Sequence, residues 1–191
     1  MRRARALLAA LLAATAAQAA GDPELRAGTF SPPRSAPDFA LRGSDGAELT
    51  LARFRGKVVA LAFGFTSCPN VCPTTLGVLA RARRELGARA DGLQVVYVTV
   101  DPERDDAERM RAYLANFDPT FVGGTGSASA LAAVRERYGV MAQEVRDGDT
   151  ASFSHSSFVY LIDRAGTLRA LMPYGHDADD FAHDVAILLA E

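Results

Sequence analysis

The chain has 191 residues, 49% apolar and 23% charged, enough for one domain with a sizeable core and too apolar for a disordered chain. Lys and Arg total 21 and Asp and Glu total 23, a formal charge of −2 that lacks the basic excess of a nucleic-acid binder. Two cysteines exclude four-cysteine zinc sites and iron–sulfur clusters held by four cysteines, so any thiol or soft-metal chemistry must pass through Cys68 and Cys72.

The chain starts with the basic run Met1-Arg2-Arg3-Ala4-Arg5, then an apolar stretch from Ala6 to Ala17 and the A-x-A triplet Ala17-Gln18-Ala19. This is the layout of a secretory signal and predicts cleavage after Ala19. The alternative is a retained anchor, but the apolar run has 12 residues where about 18 or more are needed to span a bilayer. Export to a periplasmic or equivalent space is therefore expected, without a transmembrane anchor in the mature chain. Residues 20–37, with four prolines, read as an extended linker into a domain over 38–191.

Asp38 to Leu51 reads as a hairpin turning near Asp45-Gly46. Lys57 to Phe65 and Leu93 to Val100 are nearly continuous apolar runs, the pattern of strands buried on both faces. Helices are predicted over Thr74–Leu86, Asp105–Phe117, Ala128–Tyr138 and Asp177–Leu189. A late hairpin joins Ser157–Asp163 to Leu168–Met172. Gly123-Gly124-Thr125-Gly126 reads as a flexible connection. Strand–helix–strand units imply a parallel centre, and the late hairpin makes the sheet mixed. The order predicts a thioredoxin-like α/β fold, a mixed central sheet flanked by helices, with an N-terminal hairpin and an inserted helix.

Cys68-Pro69-Asn70-Val71-Cys72 follows a buried strand and opens a helix. Ligands bind at such strand ends, and a helix start favours thiolate over thiol. Three residues separate the cysteines, against two in thioredoxin-type motifs. The pair can close as a disulfide, pinch a metal ion, or serve as a plain staple. The last is disfavoured because so short a loop gains little from cross-linking. His155, just before a predicted strand, can reach the same sheet edge or can be a loop histidine bonded to backbone. His176 and His183 sit among Asp177, Asp179, Asp180 and Asp184 and read as solvated surface. If His155 joins the cysteines, the set is two sulfurs and one imidazole. With no fourth ligand for a closed zinc tetrahedron, that set suits copper(I).

The run from Lys57 to Thr75, containing Phe63-Gly64-Phe65-Thr66-Ser67-Cys68-Pro69-Asn70-Val71-Cys72-Pro73, resembles the Sco/SenC family of copper chaperones. Val100-Asp101-Pro102-Glu103-Arg104-Asp105 resembles its second motif, and His155-Ser156-Ser157-Phe158-Val159-Tyr160-Leu161-Ile162-Asp163 its third. The resemblance implies a thioredoxin-like fold and one copper held by Cys68, Cys72 and His155, with copper(I) favoured and copper(II) possible. It also implies a role in assembling the dinuclear copper (CuA) centre of cytochrome c oxidase, by copper delivery, thiol reduction, or both. The implied partner is a copper-receiving oxidase subunit or another copper carrier. The chain is expected to act as a monomer. Two departures stand out: Asn70 and Ser154 occupy positions where the family usually carries Asp.

Asp105 reads as a helix cap, and Asp101 as a turn acceptor or an outer partner of the metal ligands. Two other functions stay open from the residues alone. One is an exported thiol–disulfide oxidoreductase using Cys68 and Cys72; the other is a peroxidase of the same superfamily.

Overall fold

The computed structural model describes residues 24–147 and 150–191. The expected signal at 1–19 lies outside the described residues. Ten strands and four α-helices follow in chain order. They are β1 (Gly28–Ser35), β2 (Leu41–Gly43), β3 (Glu48–Leu49), β4 (Val58–Gly64), α1 (Val71–Glu85), β5 (Leu93–Thr99), α2 (Ala107–Leu114), β6 (Val122–Thr125), α3 (Ala128–Tyr138), β7 (Ala142–Asp147), β8 (Thr150–His155), β9 (Phe158–Ile162), β10 (Thr167–Pro173) and α4 (Ala178–Ala190).

Eight strands form one sheet in the order β1-β10-β9-β4-β5-β6-β2-β3, and β7 and β8 make a separate ribbon. The centre, β4-β5-β6, is parallel; β9 runs antiparallel to β4, and β2 antiparallel to β6. This is the mixed, helix-flanked, thioredoxin-like sheet that the element order predicts, including the β2–β3 hairpin and the inserted α3. Every residue of β4 and β5 is buried, the polar Gln94 and Thr99 of β5 included, as their nearly continuous apolar runs require.

Three segments differ from the sequence reading. Gly28–Ser35, read as part of a linker, pairs with β10 as the edge strand. Its prolines fit because pairing is interrupted between Thr29 and Arg34, where Pro32 and Pro33 need donate nothing. Gly123-Gly124-Thr125, read as a connection, is most of the buried strand β6. Glycine is demanded there by close packing: a Cβ on Gly123 would stand 2.9 Å from Met110 Cβ on α2, and one on Gly124 would stand 2.7 Å from Leu49 Cδ2. The third segment is the β7–β8 ribbon, which makes His155 the last residue of a strand rather than a loop residue.

A buried carboxyl ties the N-terminal segment to the last helix. Asp184 of α4 is fully buried and accepts the backbone N–H groups of Arg26 (2.8 Å) and Ala27 (2.9 Å). The acidic face of α4 is therefore only partly a solvated surface.

Candidate metal centre

The strand β4 ends at Gly64, and α1 starts at Val71, three residues earlier than the periodicity predicts, which places Cys72 and Pro73 in its first turn. Pro73 suits that turn because its missing N–H has no partner there in any case. Asn70 holds the N-cap position without a side-chain bond to the helix's backbone N–H groups. Cys68 Sγ takes part of that role, accepting the Cys72 N–H at 3.5 Å. Cys68 is half-buried and Cys72 is 3% exposed; both are free thiols.

His155 is brought to Cys72 across the fold: its Nε2 lies 3.6 Å from Cys72 Sγ. Its Nδ1 is 2.9 Å from the Ser156 carbonyl. A carbonyl only accepts, so Nδ1 carries the ring proton and Nε2 presents a bare lone pair to the sulfur. Phe65 fixes the ring from the side, edge to face with centroids 6.0 Å apart, and Phe153 closes over Phe65 at 5.7 Å. The structure thus joins Cys72 and His155 directly and sets Cys68 against the Cys72 backbone. Among the described residues, no three His, Cys, Asp or Glu side chains form a closed metal-holding cluster.

Burial overturns one electrostatic expectation. The helix start should favour thiolate, yet burial pushes the Cys72 thiol up to about 12, only partly offset by the polar Tyr97 hydroxyl and Phe65 backbone nearby. Cys72 is therefore a thiol at neutral pH. An alkylating reagent should modify Cys68 first, and Cys72 slowly. The Cys72 rate should rise about tenfold per pH unit up to about 12, because only the thiolate attacks. Mass mapping of partially alkylated protein checks both points; equal labelling at neutral pH would contradict them.

Asp105 does not cap α2, and Asp101 does not touch the candidate ligands. Asp101 is buried and its carboxyl pairs with Arg104, not with the cysteines or His155. Asp105 is not the cap of α2; that position belongs to Asp106, which accepts the Arg109 N–H at 2.8 Å. Asp105 is instead fully buried and accepts from Thr66 N (2.9 Å), Thr66 Oγ1 (2.5 Å) and Thr99 Oγ1 (2.7 Å). It fastens the loop leading to Cys68 onto the end of β5. Arg109 adds bonds to Thr66 Oγ1 (2.7 Å) and Ser67 Oγ (3.1 Å). His176, just before α4, and His183 on it bond the α4 acids Asp180 and Asp184, each at 2.9 Å.

Gly64 is a further site residue that the sequence reading missed. A Cβ there would overlap the Tyr97 hydroxyl and stand 2.7 Å from Cys72 Sγ. Gly64→Ala should cost about 1–3 kcal/mol by overpacking and displace the Cys72 sulfur. A thermal melt and a thiol-accessibility assay read the two effects. A variant with parental stability and thiol accessibility would refute the packing argument.

The profile of the SCO1/SenC family matches residues 28–190. The chain belongs to the SCO1/SenC family. It is 34% identical over 132 residues to a SCO2-like protein of Rickettsia conorii, covering 68% of this chain and 64% of that one. It is 37% identical over 133 residues to the mitochondrial SCO2 homolog of Homo sapiens, covering 68% and 50%. The matches thus span less than two thirds of these relatives' own lengths. The solved structure of Bradyrhizobium japonicum ScoI with copper bound superposes with a TM-score of 0.74 at 32% identity, covering 80% of this chain and 98% of that one. The fold is that of the SCO1/SenC family, thioredoxin-like with a mixed sheet. No helix among the described residues is long and apolar enough to cross a membrane.

Proposed function

We propose that this SCO1/SenC protein is an exported copper metallochaperone that takes up one copper(I) through Cys68, Cys72 and His155. The observation that carries the reading is the bare Nε2 of His155 facing Cys72 Sγ at 3.6 Å, with its ring proton committed to the Ser156 carbonyl. An imidazole so oriented is a ready ligand, and two soft sulfurs beside it suit copper(I). Cys68, half-buried at the mouth, completes the set by turning about its Cα–Cβ bond. Copper displaces the proton of the Cys72 thiol and is held between low-lying sulfur and nitrogen donors. The relative from Bradyrhizobium japonicum that holds copper supports the same cargo here.

The recipient in this reading is an oxidase subunit during assembly of the CuA centre, or another copper carrier, met by the monomeric chain outside the cytoplasm. Residues 1–19 serve as the export signal, which the intact mass of exported protein tests: loss of the segment is expected, and a full-length chain contradicts it. A second reading, thiol–disulfide oxidoreductase, draws on the arrangement of one accessible and one buried sulfur, the order of attacking and resolving thiols. Anaerobic copper(I) titration of the reduced protein against a competing chelator tests the first reading. One tightly held copper per chain is expected. No binding, together with rapid exchange in a glutathione buffer, moves the second reading ahead.

A further inference from the structure

We infer that Tyr97 is a positioning residue for the Cys72 sulfur, its phenol O–H supplying the hydrogen bond which that sulfur accepts once it holds a metal. The inference rests on the metal-site reading above and adds a residue that tunes it. Tyr97 stands in mid-strand β5, opposite Ala62 of β4, and is 1% exposed. A phenol buried so deeply needs an acceptor. Its bond to the Phe65 carbonyl is 3.4 Å long, well beyond the roughly 2.7–2.8 Å usual for O–H···O. A second acceptor stands beside it. A Cβ on Gly64 would overlap the Tyr97 hydroxyl and stand 2.7 Å from Cys72 Sγ, so hydroxyl and sulfur border the same small space left by the missing side chain.

The three groups around the sulfur divide the work. His155 Nε2 faces it as a fellow ligand, the Phe65 backbone borders it, and the Tyr97 hydroxyl beside it is a donor able to rotate. In the metal-free protein the phenol donates to the Phe65 carbonyl, at 3.4 Å. A metal-bound sulfur carries more negative charge and draws that proton to itself. A hydrogen bond to a ligand sulfur lowers the energy of its lone pairs. It favours copper(I), which leaves more charge on the sulfur, over copper(II). Tyr113 provides the contrast: its ring centroid is 6.4 Å from that of Tyr97, and its buried hydroxyl has no hydrogen-bond partner among the described residues.

The test compares the parent protein with Tyr97→Phe, which removes only the hydroxyl, and with Tyr113→Phe. Two probes are used: copper, in both oxidation states, and mercury(II), which binds thiolates whether or not copper is the natural cargo. In Tyr97→Phe the ratio of copper(I) to copper(II) affinity should fall by about threefold to tenfold, the worth of one hydrogen bond. The sulfur-to-metal charge-transfer bands of the copper(II) and mercury(II) forms should move to lower energy. Tyr113→Phe should leave ratio and bands at parental values. Bands in Tyr97→Phe that coincide with the parent's, or an unchanged affinity ratio, overturn the inference. A shifted mercury(II) band in a protein that takes up no copper keeps the Tyr97 contact and overturns the copper reading instead.

Discussion

His155→Ala is expected to weaken copper(I) binding by at least about a hundredfold, since it removes a ligand where even an outer partner's loss costs about 10–100-fold. The Cys68–Cys72 disulfide should still form and be reduced in that variant, because thiol exchange needs only the two sulfurs. Cys68→Ser or Cys72→Ser should abolish both properties, each removing an atom common to the two chemistries. His183→Ala is the control. Its imidazole bonds Asp184 at 2.9 Å on α4 and takes no part in the Cys72–His155 pair. Copper affinity is read against a competing chelator and exchange against a glutathione buffer. If His155→Ala binds copper(I) as tightly as the parent, the imidazole is not a ligand.

The second large effect belongs to Asp105. Replacing it by alanine leaves the Thr66 N–H, the Thr66 hydroxyl and the buried Thr99 hydroxyl without their acceptor. Each lost partner in a buried place costs about 1–3 kcal/mol, and rearrangement recovers part of the sum. A net loss of about 3 kcal/mol is expected, a fall in Tm of about 6–12 °C for a chain of this size. The damage should also reach the site. The loop from Thr66 to Cys68 is held to β5 through this one carboxyl, so copper affinity should fall even at temperatures where the variant is fully folded. Calorimetry and chelator competition on the same sample check the pair of effects. A melt within about 2 °C of the parent's would show that Asp105 is not the anchor described.

The central fold was legible because its physics is local. β4 and β5 are almost entirely apolar, as doubly covered strands tend to be, and α1 and α4 carry their burial at helical spacing. What escaped depends on partners distant in sequence. β6 contains two glycines that a local reading takes for flexibility, whereas α2 on one and Leu49 on the other leave no room for a side chain. β7 and β8 carry mostly polar residues and pair only with each other, so no apolar run marks them, and the short alternation of Ala151 and Phe153 in β8 is a faint signal. β1 was masked by Pro32 and Pro33, which an interrupted edge strand accommodates.

The candidate site divides along the same line. Cys68 and Cys72 announce themselves by their place between an apolar strand and a helix. His155 is marked by its motif, and the structure adds its contact with Cys72. Asp105 reads as a cap because acids are common where helices begin; only the fold reveals that Thr66 and Thr99, from two other segments, converge on it. Tyr97 is hidden in a run of β-formers, where its aromatic ring satisfies the pattern and its hydroxyl goes unnoticed. The expected lowering of cysteine pKa failed for a related reason: the helix start is visible in sequence, but the burial that outweighs it at Cys72 is not.

The most direct test of the three-ligand site is X-ray absorption spectroscopy of the reduced protein loaded anaerobically with one equivalent of copper(I). The account predicts a three-coordinate edge with two sulfur scatterers and one imidazole nitrogen, the nitrogen contribution vanishing in His155→Ala. A two-coordinate copper with sulfur scatterers alone, identical in the parent and in His155→Ala, would contradict it.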